Sequence, residues 1–268
     1  AALACEDAAR AVKGVTDSEG AGASAGRSIF ALAASHGFAG VSHSSGYGLS
    51  ASVIAGEGDE KERDYDWRSA RHYADLDSAE AIGQRAGERA IARLNPGTVK
   101  SGQMPVVFDP RVGGSLVGHL IVAISGSSIA RKTSFLLDAN GEQLFDPSLS
   151  IIDDPLRPRG MGSRPFDGEG LATSRRELVA DGILRGWLLD LRAARQLKLA
   201  PTGNGARGLS SPPGPSTSNL HLEPGHLTPE EMIGAIKQGL FITELIGTSV
   251  NMVTGDYSRG ASGYWIEN

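Results

Sequence analysis

The sequence predicts an α+β fold in which antiparallel β meanders carry packed helices. Three observations lead there. Apolar residues alternate with small or polar ones along Tyr47–Ala55, and Arg63, Tyr65 and Trp67 alternate with Asp64, Asp66 and Arg68 after the polar turn Gly56–Lys61. Successive strand side chains face opposite ways, so this pattern is a pair of half-buried strands joined by a turn. Asp181-Gly182 stands between the apolar runs Glu177–Ala180 and Ile183–Leu189, and Asp-Gly tolerates the positive φ of a two-residue hairpin turn. Finally, Ile82, Ala86, Ala90 and Leu94, and then Leu116, Leu120 and Ile124, recur at helical spacing.

Taken in order, residues 1–13 are Ala-rich and read as a helix already under way. Gly14–Gly26 reads as a Gly/Ser/Ala loop, and Ser28–Ala34 as a strand turning at His36-Gly37. That strand and the pair above make a three-stranded meander. Asp77 or Ser78 opens the next helix, with Asp77 and Glu80 spaced as a capping box, and Asn95-Pro96-Gly97 stops it. The polar connector Thr98–Gln103 marks a domain boundary, giving residues 1–97 and 98–268. Met104–Phe108 is a short strand leading into Asp109–Gly126, the most apolar stretch of the chain. It is apolar nearly all round, so a buried helix is expected, with Asp109 capping it, Pro110 in the first position and Gly126 ending it. His119 is its one polar side chain, and a hydrogen bond in the core is its expected role.

Beyond it, Ser134–Asp138 reads as extended, Asn140-Gly141 as a turn and Asp153–Gly170 as an ordered loop. Asp190–Lys198 reads as a short helix, and Pro201–Pro224 as an exposed or partly mobile loop. Thr228-Pro229-Glu230-Glu231 is a strong helix start, with Met232, Ile233, Ile236 and Leu240 as the buried stripe. Phe241–Ile246, Ser249–Thr254 and Ala261–Glu267 read as strands separated by Gly247 and Gly255-Asp256.

The bulk numbers narrow the function. With 268 residues and 40% apolar content, one large core or two modest ones can form. A net charge of −5 and no Lys/Arg run leave no surface for nucleic acid. Leu116–Ile124 is too short to span a bilayer, so no membrane partner is expected. One cysteine, Cys5, excludes an internal disulfide and a Cys-based zinc ribbon, and fits a reducing, cytoplasmic setting. The first residue is not Met, and the segment is expected to be a piece of a longer chain.

Common catalytic motifs fail on their physics. Gly203-Asn204-Gly205-Ala206-Arg207-Gly208 matches a dinucleotide fingerprint, but Ser-Ser-Pro-Pro-Gly-Pro follows and cannot supply the helix N-terminus that meets a pyrophosphate. Gly126–Thr133 approaches a phosphate loop, with Arg131 where the second glycine belongs. Ser24 in Gly22-Ala23-Ser24-Ala25-Gly26 fits a nucleophile-elbow pattern but leads into a strand rather than a helix. His221, Glu223 and His226 bracket Pro224-Gly225, so they do not share a helix face, and no His pair lies at i, i+4. His36 and His43 fall in the first meander's turn region, where a solvated role is the default.

Several segments together resemble the TldD/PmbA family, and its PmbA (TldE) branch in particular. They are Ser125-Gly126 through Lys132–Asp138, Pro165-Phe166-Asp167-Gly168-Glu169-Gly170, Asp181–Leu188, Arg63-Asp64-Tyr65, Tyr73–Asp77 and, above all, Gly255-Asp256-Tyr257-Ser258-Arg259-Gly260-Ala261-Ser262-Gly263-Tyr264-Trp265-Ile266-Glu267-Asn268. The resemblance covers about Ser28 to Asn268. It implies a two-domain architecture, with 1–97 the end of an N-terminal α+β domain and 98–268 a β-rich C-terminal domain. It also implies a pairing of a zinc peptidase subunit with a second subunit. The peptidase subunit carries His-Glu-x-x-x-His on a helix, and on this chain that helix falls on Asp109–Gly126. The two His positions hold Gly118 and Ala123, and His119 takes the Glu position. Shifting by one puts His119 first, with Leu120 and Ile124 in the other places. Either way the zinc site is lost, and neither metal nor other cofactor is expected.

The implied function is that of a non-catalytic subunit in peptide proteolysis, in a family linked to microcin maturation, antitoxin degradation and DNA gyrase modulation. The implied partners are a TldD-like zinc peptidase subunit, peptide or unfolded polypeptide and, in isolation, a second copy of the chain. The candidate contact segment is Gly255, Asp256, Tyr257, Ser258, Arg259 and Gly260, beside the strands Phe241–Ile246 and Ser249–Thr254, whose exposed edge would add the peptide as an extra strand. An active hydrolase in its own right and a stand-alone peptide-binding scaffold are the rival readings.

Overall fold

The computed structural model describes residues 1–247 and 250–268. The chain divides into two units. Unit 1 holds Ala1–Ala31, Val41–Lys100 and Arg159–Met161, and unit 2 holds Leu32–Gly40, Ser101–Pro158 and Gly162–Asn268. Both mix helices with antiparallel sheet, the α+β class expected. Among the described residues no helix is long and apolar enough to cross a membrane.

Unit 1 begins with helix α1 (Ala2–Arg10), followed by strands β1 (Val15–Ala33), β2 (Ala39–Ala55) and β3 (Glu62–Ala70) in a sheet of that order, and then by helix α2 (Ala79–Ala92). β2 and β3 pair antiparallel, with Ser50 opposite Trp67. One face of β2, made of Leu49, Ala51, Val53 and Ala55, is buried. α2 presses Ile82, Ala86 and Ala90 into the same core. α1 reaches that core at close range because α2 carries Gly83: a Cβ there would stand 2.1 Å from the Cys5 carbonyl oxygen.

The expected loop Gly14–Gly26 is strand instead, the first half of β1. Its small residues have no apolar face to bury, so local pattern gives no strand signal. Pairing with β2 supplies the structure. Ser24 therefore lies in a strand. The Asp77–Glu80 capping box does not form either. Ser78 caps α2, its Oγ accepting from the Ala81 N–H at 3.1 Å, and Asp77 turns to the guanidinium groups of Arg85 and Arg68. Charge-assisted bonds outcompete a backbone amide.

These arginines also converge on Asp66, which is 0% exposed on the core face of β3. Its carboxylate accepts from Arg89 Nη1 at 2.6 Å, Arg85 Nε at 2.7 Å and Arg68 Nη1 at 3.3 Å. Burial pushes the carboxyl upward, but the hydrogen bonds and charges of Arg85, Arg89 and Arg68 outweigh it and hold Asp66 below the usual carboxylate value.

Unit 2 starts with β4 (Val106–Phe108), helix α3 (Pro110–Ala123) and helix α4 (Gly126–Ala130). Asp109 caps α3, its Oδ1 accepting from the Arg111 N–H at 2.8 Å, with Pro110 in the first turn as expected. Gly126 does not end α3. The helix closes at Ile124, and Gly126 opens α4 because the chain there runs against Leu188: the Gly126 N–H donates to the Leu188 carbonyl at 2.8 Å, and a Cβ would lie 2.6 Å from the Leu189 side chain. Ser134–Asp138 is a turn rather than extended, folded by the Ser134 hydroxyl accepting from the Leu136 N–H.

A second sheet is built from β5 (Ile151–Asp153), β6 (Arg176–Ala180) and β7 (Ile183–Leu184). Asp181 (φ 52°) and Gly182 (φ 75°) form the expected hairpin turn between β6 and β7. Helix α5 (Leu191–Leu197) follows, capped by Asp190. Then come β8 (Gly205–Ala206), β9 (Gly214–Pro215) and β10 (Leu220–Leu222), the last extending the sheet to the order β10-β5-β6-β7.

The expected mobile loop Pro201–Pro224 is thus partly ordered and partly buried. Asn204, only 3% exposed, donates to Asp153 Oδ2 at 3.0 Å and to the Ser216 carbonyl at 3.1 Å. The Gly205 N–H donates to the buried Asp167 at 2.8 Å. Buried carboxylates need donors, and this glycine-rich segment delivers them.

The chain closes with helix α6 (Pro229–Gly234), β11 (Gln238–Ile246) and β12 (Gly260–Glu267). Thr228 and Glu231 complete a capping box. The expected buried stripe is absent from this six-residue helix, whose Met232 is 42% exposed. β11 lies between β12, antiparallel, and β4, parallel. It therefore offers no free edge over Leu240–Ile242. Of the expected strand Ser249–Thr254, Ser249 lies outside the described residues, Val250 forms an isolated bridge with Tyr257, and residues 252–254 form a turn.

Asp66→Ala is expected to cost about 3 kcal/mol, because it strands guanidinium groups that held a buried partner. A depressed folded value means that the stabilisation is present above the unfolded carboxylate value and is lost as pH falls through the folded one. Denaturation midpoints across an acid titration should fall less steeply for Asp66→Ala than for the parent chain. An identical acid limb would contradict this.

Candidate functional site

The site builds up from the rotational setting of α3. Leu120, Ala123 and Ile124 are buried in the core of unit 2, with Val117 and Ile121 packed beside them. At 3.6 residues per turn, this fixes what the other faces present. Gly114, Gly118 and Val122 form the outward stripe: a Cβ at Gly114 or Gly118 would meet nothing within 4 Å, and Val122 is 48% exposed. The expectation of a helix buried all round is corrected here. Glycine composes much of the open face, and glycine carries no charge to reveal it in the sequence.

Between these faces lie Ser115 and His119, one turn apart. The segment that leads into β12 leans on them. Arg259 donates from Nη1 to the Ser115 hydroxyl at 3.4 Å and from Nη2 to the Leu245 carbonyl at 3.2 Å. Tyr257, 43% exposed, meets His119 edge to face with ring centroids 5.8 Å apart. His119 Nε2 and Arg259 Nε are both buried and have no hydrogen-bond partner among the described residues. The hydrogen bond expected for His119 is therefore replaced by a ring contact. A buried polar atom left without a partner costs free energy, and two such atoms sit on one small surface.

The preceding turn is held locally. Asn251 Oδ1 accepts from the Val253 N–H at 3.0 Å, and the Thr254 hydroxyl donates to Asp256 Oδ2 at 2.6 Å. Gly255 takes φ 82° with its Cα against the Phe135 ring. Of the six candidate contact residues, Tyr257 and Arg259 reach α3. Asp256 faces its own turn, Gly260 pairs with Ile246, Gly255 backs onto Phe135, and Ser258 is exposed. Ser115 was missed in the sequence, although its spacing of four from His119 put it on the same helix face.

Other motif residues stand apart from this surface. His221 lies 3.6 Å from Glu223 through Nε2. Among the described residues, no group of three or more His, Cys, Asp or Glu side chains is placed to hold a metal ion.

The chain is a two-unit α+β protein whose second unit packs a capped helix on its closing sheet. A profile of the PmbA/TldA metallopeptidase central domain matches residues 1–94, and one of the C-terminal domain of the same family matches residues 101–268. The chain belongs to the PmbA/TldD metallopeptidase family. It is 38% identical over 268 residues to Metalloprotease PmbA of Escherichia coli O157:H7, covering 100% of this chain and 58% of that protein. A Thermotoga maritima crystal structure named as a modulator of a DNA gyrase superposes with a TM-score of 0.91 at 31% identity, over 100% of this chain and 61% of that one. TldE from Thermococcus kodakarensis shares the fold, with a TM-score of 0.86 at 22% identity over 98% of this chain and 60% of that one. The chain thus spans about three fifths of the length of these relatives.

The family implies zinc, and the residues of α3 do not fit it. Gly118 and Ala123 carry no donor atom. Gly118 faces open space, and Ala123, 0% exposed, is packed into the core. The shifted register fails the same way, with Ile124 buried at 0%. His119 alone offers one nitrogen.

Two substitutions test this setting of α3. Gly118→Ala should stabilise by about 0.5–1 kcal/mol, the usual gain from removing glycine in a helix interior with open space outside. Ala123→His should destabilise by about 1–3 kcal/mol through overpacking. Urea denaturation reads both, and equal effects would contradict the assigned faces.

Proposed function

We propose that the chain is the non-catalytic subunit of a two-subunit peptidase and acts in peptide proteolysis with a zinc-bearing partner. One observation carries this reading. The helix that would hold the metal presents Gly118 and Ala123 where ligands are needed, and His119, or Leu120 in the shifted register, in place of the glutamate that would activate a water. A partner whose helix carries His-Glu-x-x-x-His would supply the chemistry, in the cytoplasm. This chain would close the space around that active site and hold the peptide extended. The surface of α3 with Tyr257 and Arg259, and β12, which among the described residues pairs with β11 alone, are its contact elements. An added strand gains backbone hydrogen bonds along such an edge. A role near DNA gyrase would be indirect, acting on polypeptides rather than on DNA, because the chain is acidic.

The test is co-purification of the full-length protein from its native cell, with metal analysis and peptide cleavage on the complex and on the separated subunit. A His-Glu-x-x-x-His partner, with zinc and chelator-sensitive cleavage confined to the complex or to that partner, is the expected result. Stoichiometric zinc and cleavage in the separated subunit would overturn the proposal.

A further inference from the structure

Resting on the reading that this subunit holds peptide, we infer that Arg259, framed by Ser115, His119 and Tyr257, captures a carboxylate of the bound peptide. The group belongs either to the peptide's C-terminus or to an acidic side chain.

Arg259 is half-buried, and its guanidinium carries a positive charge. Its partners are a serine hydroxyl and a backbone carbonyl, both neutral, and no carboxylate of the described residues lies within ion-pair reach of it. The nearest acid in its own segment, Asp256, is taken by the Thr254 hydroxyl. Sequestering a guanidinium without an anion is costly, and the cost falls when an anion binds.

The donors suit a carboxylate. Arginine presents a planar fork that matches two carboxylate oxygens. Arg259 holds its Ser115 contact at 3.4 Å, a long bond that a charged acceptor displaces at little loss. Ser115 can then turn its own hydroxyl toward the ligand, because a hydroxyl both donates and accepts. One turn along α3, His119 Nε2 is a second unpartnered atom, and the half-exposed Tyr257 ring at its edge is the group that can swing aside.

Placement supplies direction. Arg259 immediately precedes Gly260, the first residue of β12. A peptide adding antiparallel to that edge strand has its C-terminal end where β12 begins, beside Arg259. The pairing gives sequence-independent affinity, and the arginine gives register.

Fluorescence anisotropy on the full-length protein in its native complex tests this with three labelled probes: an alanine pentapeptide as free acid, the same peptide as C-terminal amide, and an amide with a central glutamate. The free acid should bind about 10- to 100-fold more tightly than the alanine amide, the usual range for one hydrogen-bonded charge pair. Arg259→Gln should abolish that difference, and Arg259→Lys should keep part of it. Because Arg259→Gln also removes a tie to Leu245 and can loosen β11, added salt on the unmodified complex gives a fold-independent readout. It should weaken the acid and leave the alanine amide unchanged. If the glutamate amide equals the free acid and both exceed the alanine amide, either carboxylate source is captured; if the glutamate amide alone exceeds it, carboxylate capture stands and the source is a side chain. If both amides bind as well as the acid, the inference is overturned while peptide holding survives. If no probe binds, peptide holding itself is overturned and the inference with it.

Discussion

Leu120, Ala123 and Ile124 are driven out of water against the core of unit 2, and the large ones among them are each worth about 1.5–3 kcal/mol when fully buried. That burial fixes the rotation of α3 about its own axis, and the chemistry available to unit 2 depends on the rotation. With the apolar face inward, Gly118 looks into open space, and Ser115 and His119 meet the segment that feeds β12. Turning the helix by one residue, about 100°, would expose the core residues and bury the polar ones. The helix cannot rotate without losing its packing.

Buried charge is handled differently in different parts of the chain. In unit 1, Asp66 is surrounded by guanidinium groups that more than repay its burial. In unit 2, Asp153 accepts from the Ser218 N–H and hydroxyl and from Asn204, and Asp167 accepts from the N–H groups of Glu169, Leu171 and Gly205. These carboxylates are settled within the fold. Glu169 sits beside them, with burial and its acidic neighbours Asp190 and Asp167 pushing its carboxyl upward, partly opposed by the Leu191 N–H that it accepts. Arg259 and His119 each keep a buried nitrogen without a partner, as Arg164 and Arg176 do elsewhere among the described residues, but these two lie beside the exposed Tyr257 ring.

Much of this was legible in the chain where the signal is local. Asp181-Gly182 announces its turn because two adjacent residues must take positive φ. Thr228 and Glu231 announce a capped helix because both partners lie within one turn. Asp109 and Pro110 likewise mark the start of α3. What failed was non-local. The Gly/Ser/Ala first half of β1 becomes strand through β2, not through its own pattern. Gly203–Gly205 read as a loose loop and is buried, because its donors answer carboxylates up to 51 positions away. The Arg259–Ser115 contact spans 144 positions, so the sequence names both halves of the site without joining them. The family resemblance implied that the peptidase subunit's metal-bearing helix falls on α3, and the fold shows which way the residues of α3 face.

On the proposed pairing, α3 of this chain carries no metal and a partner subunit does. Anomalous diffraction at the zinc edge from crystals of the native complex distinguishes the two subunits. A zinc peak is expected in the partner subunit, with none within bonding distance of α3. A peak bonded to His119 Nε2, the one nitrogen this helix offers, would contradict it.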